Sequence, residues 1–406
     1  MAGVSAGAFI PGVSGVPDAN ALNTNLYQVA TRTTQPISRN TGIKQCMSRT
    51  VHYARDRITA LQIIIPNYYL VSGVETAAGA TTSVTASIEY PAGTFTQVSF
   101  GLSITGTIPD NGQLASDLMT LKVPIPNGAV FYTRIWRSNA TAIVFTGSAY
   151  PAMVGDGFVS SGTTTPDLTM SGSVTQATVN VFQPIALVAY TNKKAVAIPG
   201  DSISHGSQDS LDAYGDVGAV ARSVSPVCGY LNLGAPGESL QQYSANGSNA
   251  NRRALLAYCS DIIWVFGTND IAGGRTSANV LADFATIVAA NPTKRNWICT
   301  VPPRTTSTDS WVTTANQTVK ATEATRIVVN SGIRAVISGA AGCFDVADTY
   351  EGTRNGGKWA IDTGSSAPAT SGDSGSGDAV HPFLKACQEV ARGGKIPAGY
   401  FAGPNT

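Results

Sequence analysis

Two apolar runs in this chain stop in the same way. In "KKAVAIPGDSISHGSQDS" the run over residues 195–198 ends at Pro199-Gly200, and Asp201, Ser202, Ser204 and His205 follow at once. In "DIIWVFGTND" the run ends at Gly267 and hands over to Asn269 and Asp270. Neither run alternates apolar with polar residues. Strands of that kind are buried on both faces, as in a parallel sheet with helices on either side. The stretches "RTSANVLADFATIVAAN", "TTANQTVKATEATRIVVNSGI" and "HPFLKACQEVARGGK" read as helices, the last closed by Gly393-Gly394. "RNWICTVPP" and "CFDVADTY" add two more strands. Strands alternating with helices predict an α/β fold built of βαβ units. Ligands of such sheets sit beyond the carboxyl ends of the strands. Ser202, Gly234, Asn269, Pro302-Pro303 and Asp348 all fall at such ends.

The chain before residue 190 has a different texture. "VHYARDRITALQIIIP", "TTSVTASIEYPAG", "TFTQVSFGLSITG", "DLMTLKVPIPNG", "AVFYTRIWRSN" and "ATAIVFTGSAYP" are short runs rich in Val, Ile, Thr, Phe and Tyr. Several alternate with period two, and Gly, Pro and Asn separate them. They predict an antiparallel, jelly-roll-like β-sandwich over residues 51–190. Residues 1–50, low in periodicity, read as an extended arm with loops, and "GDGFVSSGTTTPDLTMSGS" as a long loop. Residues 191–406 then form the α/β domain. For 406 residues, two domains are the natural expectation at roughly 100–200 residues each.

Composition narrows the classes of function. Charged residues make up 13% and the net charge is +1; about 25% charged is usual. A nucleic-acid binder shows a basic stripe, and none is present. The longest apolar stretch, "ITALQIIIPNYYLVSGV", is interrupted by Gln62, Pro66 and Asn67, so it reads as strands and not as a membrane span. "MAGVSAGAFIPGVSGVPDAN" has no basic start and no apolar core, so it does not read as a signal peptide. Low charge with much Gly, Ser and Thr still suits an extracellular or virion-associated protein; a cytoplasmic one stays open. The 6 cysteines form no CxxC and no zinc-like cluster. They read as buried thiols, with one or two disulfides as the alternative in an exported protein. No metal and no cofactor are expected.

A serine needs a base to become a nucleophile, and the base needs an orienting acid. The chain has 3 histidines: His52, His205 and His381. His52 lies in the β-rich part. His205 closely follows Ser202 and has only Asp201 and Asp209 as near acids. His381 stands in "SGSGDAVHPF", three residues after Asp378, a spacing that places a carboxylate beside the imidazole. Asp378 as the N-cap of the terminal helix is the alternative. Ester hydrolysis also needs hydrogen-bond donors for an oxyanion. The backbone N–H of Ser202 qualifies if it opens a helix. Gly234 in "LNLGAPGES" lets its N–H approach a ligand, and the Asn269 amide in "GTND" has two hydrogens to give. Each turn taken singly is also ordinary strand-end chemistry.

Together, "GDSIS", "NLGAPGES", "GTND" and "DAVHP" resemble, in order, the four signature blocks of the SGNH (GDSL-type) esterases and acylhydrolases. The resemblance covers about residues 195–391, half the chain. It implies a flavodoxin-like three-layer αβα domain and metal-free, two-step acyl transfer. It also implies Ser202 as nucleophile, His381 as base, Asp378 as its orienting acid, and Gly234 and Asn269 beside Ser202 in the oxyanion hole. Ile203 stands where the family name has Leu, at a packing position. Asp201 is expected to hold the turn.

The long loop "EGTRNGGKWAIDTGSSAPATSGDSGSG" precedes Asp378, so Trp359 and Arg354 become candidate pocket residues, as do Arg275 and His205. A β-sandwich before such a domain is similar in layout to certain carbohydrate esterases. The expectation is a serine esterase removing a small acyl group, acetyl foremost, from a glycan, with no nucleic-acid or membrane partner and with homo-oligomerisation open. The alternatives are a lipase, a thioesterase or broad small-ester hydrolase, and a virion or surface structural protein that carries such a domain.

Overall fold

The structure, a computed structural model, describes residues 25–147, 152–178, 184–245, 247–351, 353–361, 378 and 380–405. Five parallel strands form the C-terminal sheet: β1 (Ala195–Gly200), β2 (Gly229–Gly234), β3 (Asp261–Trp264), β4 (Arg295–Cys299) and β5 (Gly342–Phe344). Their order across the sheet is β2-β1-β3-β4-β5. Side chains alternate between two cores. Ala195, Ala197, Leu231, Leu233, Ile262, Trp264 and Ile298 enter one, and Val196, Ile198, Tyr230, Ile263, Trp297, Cys299 and Phe344 enter the other. This explains the unbroken apolar runs, because both faces are dry.

Helices cover both faces. On the first lie α3 (Leu240–Ser244), α6 (Ser277–Ala289) and α7 (Glu323–Arg334), through Tyr243, Phe284 and Val329 among others. On the second lie α2 (Ala219–Val224), α8 (Ala347–Glu351) and α9 (Leu384–Arg392), through Val224, Tyr350 and Val390. Burial of such a side chain contributes about 1.5–3 kcal/mol. The helix read over "TTANQTVKATEATRIVVNSGI" begins only at Glu323. Its first part is a strand, Gln317–Val319, paired with Thr305–Ser307; Gln317 and Thr318 are caught in that hairpin before Thr322 opens α7.

The N-terminal half is antiparallel. In one sheet, Leu26–Gln28, Ala186–Tyr190, Ile58–Pro66 and Gln113–Ala115 follow one another, with Met119–Ile125 also on Ile58–Pro66. In the other, the order is Gly157–Ser161, Gln45–Tyr53, Val130–Asn139, Thr82–Glu89 and Phe95–Gln97, with Gly106–Ile108 also on Thr82–Glu89. Ile63, Ile65 and Leu187 of the first share a core with Val84, Ile88, Phe131 and Ile135 of the second. Ile64, Ala186 and Val188 point the other way, into the core of the α/β unit. The first sheet is therefore covered on both faces, which accounts for the "QIIIP" run.

Two expectations are corrected here. Residues 28–35 are buried, unlike an extended arm. Tyr230 N donates to the Ala30 carbonyl, Thr33 Oγ1 to the Tyr230 carbonyl, and Arg32 grips Asp156 with both guanidinium branches at 2.9 and 3.0 Å. This stretch forms a seam between the two halves. The supposed loop after residue 154 holds the strand Gly157–Ser161, which pairs with Gln45–Tyr53. All six cysteines are free thiols, and five are buried.

Candidate active site

Ser202 stands where β1 runs into α1 (Ser202–His205). The strand can end there only because residue 200 is glycine: a Cβ would lie 2.3 Å from the Val265 carbonyl oxygen. Asp201 caps the single helical turn, its Oδ1 accepting from Ile203 N at 2.8 Å. The Ser204 hydroxyl donates to the Asp201 carbonyl at 2.9 Å, and Gly206, at φ 87°, closes the turn. Burial pushes the Asp201 carboxyl up to about 7 against the pull of the Ile203 N–H. Ser202 itself is half-buried, with its side chain at the helix start.

His381 reaches Ser202 from the C-terminal segment. Its Nε2 lies 2.7 Å from Ser202 Oγ, and its Nδ1 lies 2.6 Å from Asp378 Oδ2. The second oxygen of Asp378 accepts from the backbone N–H groups of Val380 and His381, at 3.0 and 3.1 Å. One carboxylate thus holds both the imidazole and the turn that carries it. Asp378 is not the N-cap of the terminal helix, which starts at Leu384 with Phe383 before it. Partial burial works against the charge of Asp378, but the hydrogen bonds from His381 and from the Val380 N–H outweigh it and bring the carboxyl down to about 2. With the Asp378 carboxylate on Nδ1, that nitrogen carries the hydrogen and Nε2 faces the serine hydroxyl as an acceptor. The Gly/Ser segment before Asp378 lies outside the described residues.

The second and third turns interlock. Asn269 opens onto the first: its Nδ2 donates to the Glu238 carbonyl at 2.9 Å, leaving the other hydrogen of the amide. Asp270, beside it, accepts from Leu240 N and Gln241 N at 2.7 and 3.0 Å. Asn269 and Asp270 belong to α5 (Thr268–Ala272), so this helix is fastened to the start of α3. Asp201 lies close enough to feel the charges of His381, Asp270 and Glu238, which gathers all three turns at one end of the sheet.

Gly234 does not take the expected place. Its N–H is bonded to Asn232 Oδ1 at 3.1 Å, and a Cβ there would lie 2.4 Å from His205 N. It is a packing glycine between β2 and α1. Gly237, three residues on, is exposed at φ +81° and precedes the Glu238 carbonyl that holds Asn269.

Four further candidates are placed elsewhere. His205 is fully buried, and neither ring nitrogen has a hydrogen-bond partner among the described residues; dehydration drives its pKa down to about 4. It backs α1 against β2 and lines no surface. Trp359 is buried in the core against Tyr350, with its backbone N–H and carbonyl both held by Gln317. Arg275 is bound to Asp283 and lies 3.8 Å from Asp270, bracing α5 against α6. Arg354 is exposed and paired with Asp345 and Asp348.

Residues that the sequence reading passed over carry the scaffold. Asn232 is polar inside a buried strand; its Nδ2 donates to the Ser204 carbonyl at 3.0 Å and so fixes β2 to the serine-bearing turn. Arg252, fully buried, binds Glu238 through two hydrogen bonds of 2.8 Å. Glu75, from the hairpin Tyr68–Val71/Val74–Ala77, accepts from Arg252 N at 2.9 Å. At the hairpin tip, Gly73 lies so close that a Cβ would meet Glu238 Cβ at 2.6 Å. The N-terminal half thus reaches the turn that carries Gly237. A polar residue within an apolar strand was the available signal for Asn232; the Arg252–Glu238 pair had none.

The chain overlaps, over about half its length, with solved structures of one kind. A member of the lipolytic G-D-S-L family from Veillonella parvula is 20% identical, with 49% of this chain and 95% of that one covered at a TM-score of 0.35. A GDSL-like lipase from Bacteroides thetaiotaomicron is 14% identical, with 49% and 84% covered at 0.33. A carbohydrate acetylesterase family member from Sinorhizobium meliloti is 15% identical, with 50% and 95% covered at 0.34. The likeness is to SGNH (GDSL-type) hydrolases. No protein-family model and no curated protein matches the chain.

Proposed function

We propose that this protein is a serine ester hydrolase of the SGNH type, acting through Ser202, His381 and Asp378. The observation that carries the proposal is the unbroken chain from Ser202 Oγ to His381 Nε2 and from His381 Nδ1 to Asp378, at 2.7 and 2.6 Å. Ser202 Oγ attacks the acyl carbonyl while His381 Nε2 takes its proton. His381 passes that proton to the leaving alcohol as the tetrahedral adduct collapses to the acyl-enzyme. Water then gives a proton to His381 and attacks the acyl carbon; the proton returns to Ser202 as the acid leaves. Asp378 keeps the imidazole oriented and stabilises its charged form. The oxyanion is assigned to the Ser202 N–H, the Asn269 amide and, in the place expected for Gly234, the Gly237 N–H.

The strand order β2-β1-β3-β4-β5 supports a flavodoxin-like αβα domain, and the shared core of the two antiparallel sheets supports a β-sandwich before it. The reading is an acetyl esterase acting on a glycan alcohol.

The test is turnover of p-nitrophenyl acetate, butyrate and octanoate by the wild type and by Ser202→Ala. Turnover that falls with chain length and vanishes in the variant is expected. Equal rates in both proteins would place the nucleophile elsewhere.

A further inference from the structure

We infer that the cleft beside α5 binds a carboxylate-bearing sugar of the substrate, so that the ester removed is carried by an acidic glycan. The inference rests on the esterase reading above. Ala272, Arg304, Lys320, Ala321 and Thr322 line a cleft of about 310 Å³, at the lower end of small-ligand sites, roughly 300–1,000 Å³. Ala272 follows Asn269 by three residues on α5, so the two share a helix face one turn apart. The cleft therefore begins beside the group assigned to the oxyanion. A narrower recess with Arg304, Lys320 and Thr322 in common continues past Thr268 and Ile271 to Pro302.

The charge on this wall is uncommitted. Arg304 and Lys320 have no side-chain hydrogen bond or ion pair among the described residues. The Nε of Arg304 is buried with no partner among the described residues. The other charged groups of the wall are matched: Glu323 bonds Arg326, which also holds Glu351 at 2.6 and 3.0 Å. Thr322 precedes the twelve residues of α7, and its hydroxyl makes no capping bond. Two cations, a free hydroxyl and a helix start thus face one opening. A guanidinium fork and an ammonium suit a planar carboxylate. Arg304 is half-buried and Lys320 exposed; a carboxylate in the cleft gives both the counter-charge they lack and gives the buried Arg304 Nε an acceptor.

The test compares kcat/KM on acetylated oligogalacturonides with that on acetylated xylo-oligosaccharides. The wild type prefers the acidic substrate, and in Arg304→Ala/Lys320→Ala this ratio falls about tenfold or more through KM. Arg304→Lys/Lys320→Arg keeps most of it. In parallel, Ser202→Ala is titrated with unacetylated oligogalacturonide by calorimetry at low salt. Binding that weakens about tenfold or more on adding the two alanines is expected. Equal kcat/KM on acidic and neutral glycans, an unmoved ratio in the double variant, or no binding by Ser202→Ala each overturns the inference. Inertness towards every ester, p-nitrophenyl acetate included, instead removes the esterase reading, and the calorimetry still decides whether the cleft binds acid.

Discussion

The imidazole of His381 meets the hydroxyl of Ser202 at 2.7 Å although the two stand 179 positions apart in the chain. Ser202 is held by β1 and by the cap on α1; His381 is held by Asp378 and the turn before α9. The two supports are independent, so a lesion in one leaves the other standing. That independence makes the site separable by mutation.

Asp378→Asn tests the far end of the chain. The amide keeps a similar shape and accepts from the same backbone N–H groups, but it has no charge to set the tautomer of His381. A fall in kcat of roughly 10⁴-fold is expected, with a modest fall in melting temperature from the lost charge. Asp378 is held down to about 2, so its contribution to stability is present above the ordinary carboxylate range and is lost only as pH falls towards 2. It therefore stays charged through any neutral assay. The check is p-nitrophenyl acetate turnover at pH 7.5 beside a thermal melt; a drop of less than tenfold would take Asp378 out of the chemistry.

His205→Leu separates packing from chemistry on α1. The folded pKa of His205 lies at about 4, pushed down by burial, below the ordinary value of about 6.5. The unfolded chain takes up a proton between those values and the folded chain does not. The stability linked to His205 is thus present above pH 6.5 and lost as pH falls to 4, by up to about 3 kcal/mol. His52, down at about 3, acts in the same sense, while Asp201 and Asp216, raised to about 7 by burial, act in the opposite one. The variant isolates the first effect. Its melting temperature should fall less than that of the wild type between pH 7.5 and 4.5; an identical fall would mean that His205 takes up its proton in the folded state.

Arg252→Met probes the joint between the two halves. It leaves Glu238 buried without its partner and Glu75 with fewer donors, at a cost of about 3–5 kcal/mol. Because Glu238 O holds Asn269, turnover should drop as well, beyond what the loss of folded protein explains. Glu238→Gln with Arg252→Met removes both charges and should recover much of the stability. Chemical denaturation of the single and double variants reads this out; no recovery would mean that the pair is not coupled.

Much of this was legible in four short blocks of sequence, because each block is local: a strand end, a turn and the first residues of a helix. Ser202, Asn269, Asp378 and His381 could be named from such segments. The limits are equally physical. "NLGAPGES" offers two glycines, and which N–H is free depends on the Asn232 side chain, three-dimensional information that spacing does not contain. His205, Trp359 and Arg275 look like site residues by type and neighbourhood, but the first two are claimed by the core and the third by Asp283 and Asp270. The hairpin that carries Gly73 and Glu75 meets Arg252 from 179 and 177 positions away, and no local pattern signals such a contact. The run "QIIIP" was readable as a strand, but not the reason both of its faces are apolar: a second sheet on one side and the α/β unit on the other.

The pair Gly234→Ala and Asn269→Ala tells scaffold from chemistry at neighbouring strand ends. An alanine Cβ at 234 would lie 2.4 Å from both His205 N and Ser204 Oγ, and the first of these is backbone that cannot swing away. The serine-bearing turn must shift, so a loss of about 1–3 kcal/mol in stability is expected, with activity falling in consequence. Asn269 is only half-buried. Its truncation removes the donor proposed for the oxyanion and the tether to Glu238, so kcat should fall by roughly 10²–10³-fold with a small change in melting temperature. Thermal melts and p-nitrophenyl acetate kinetics on both variants decide the matter. If Gly234→Ala melts like the wild type yet loses kcat as Asn269→Ala does, Gly234 belongs to the oxyanion site after all, and the bond to Asn232 must open during turnover.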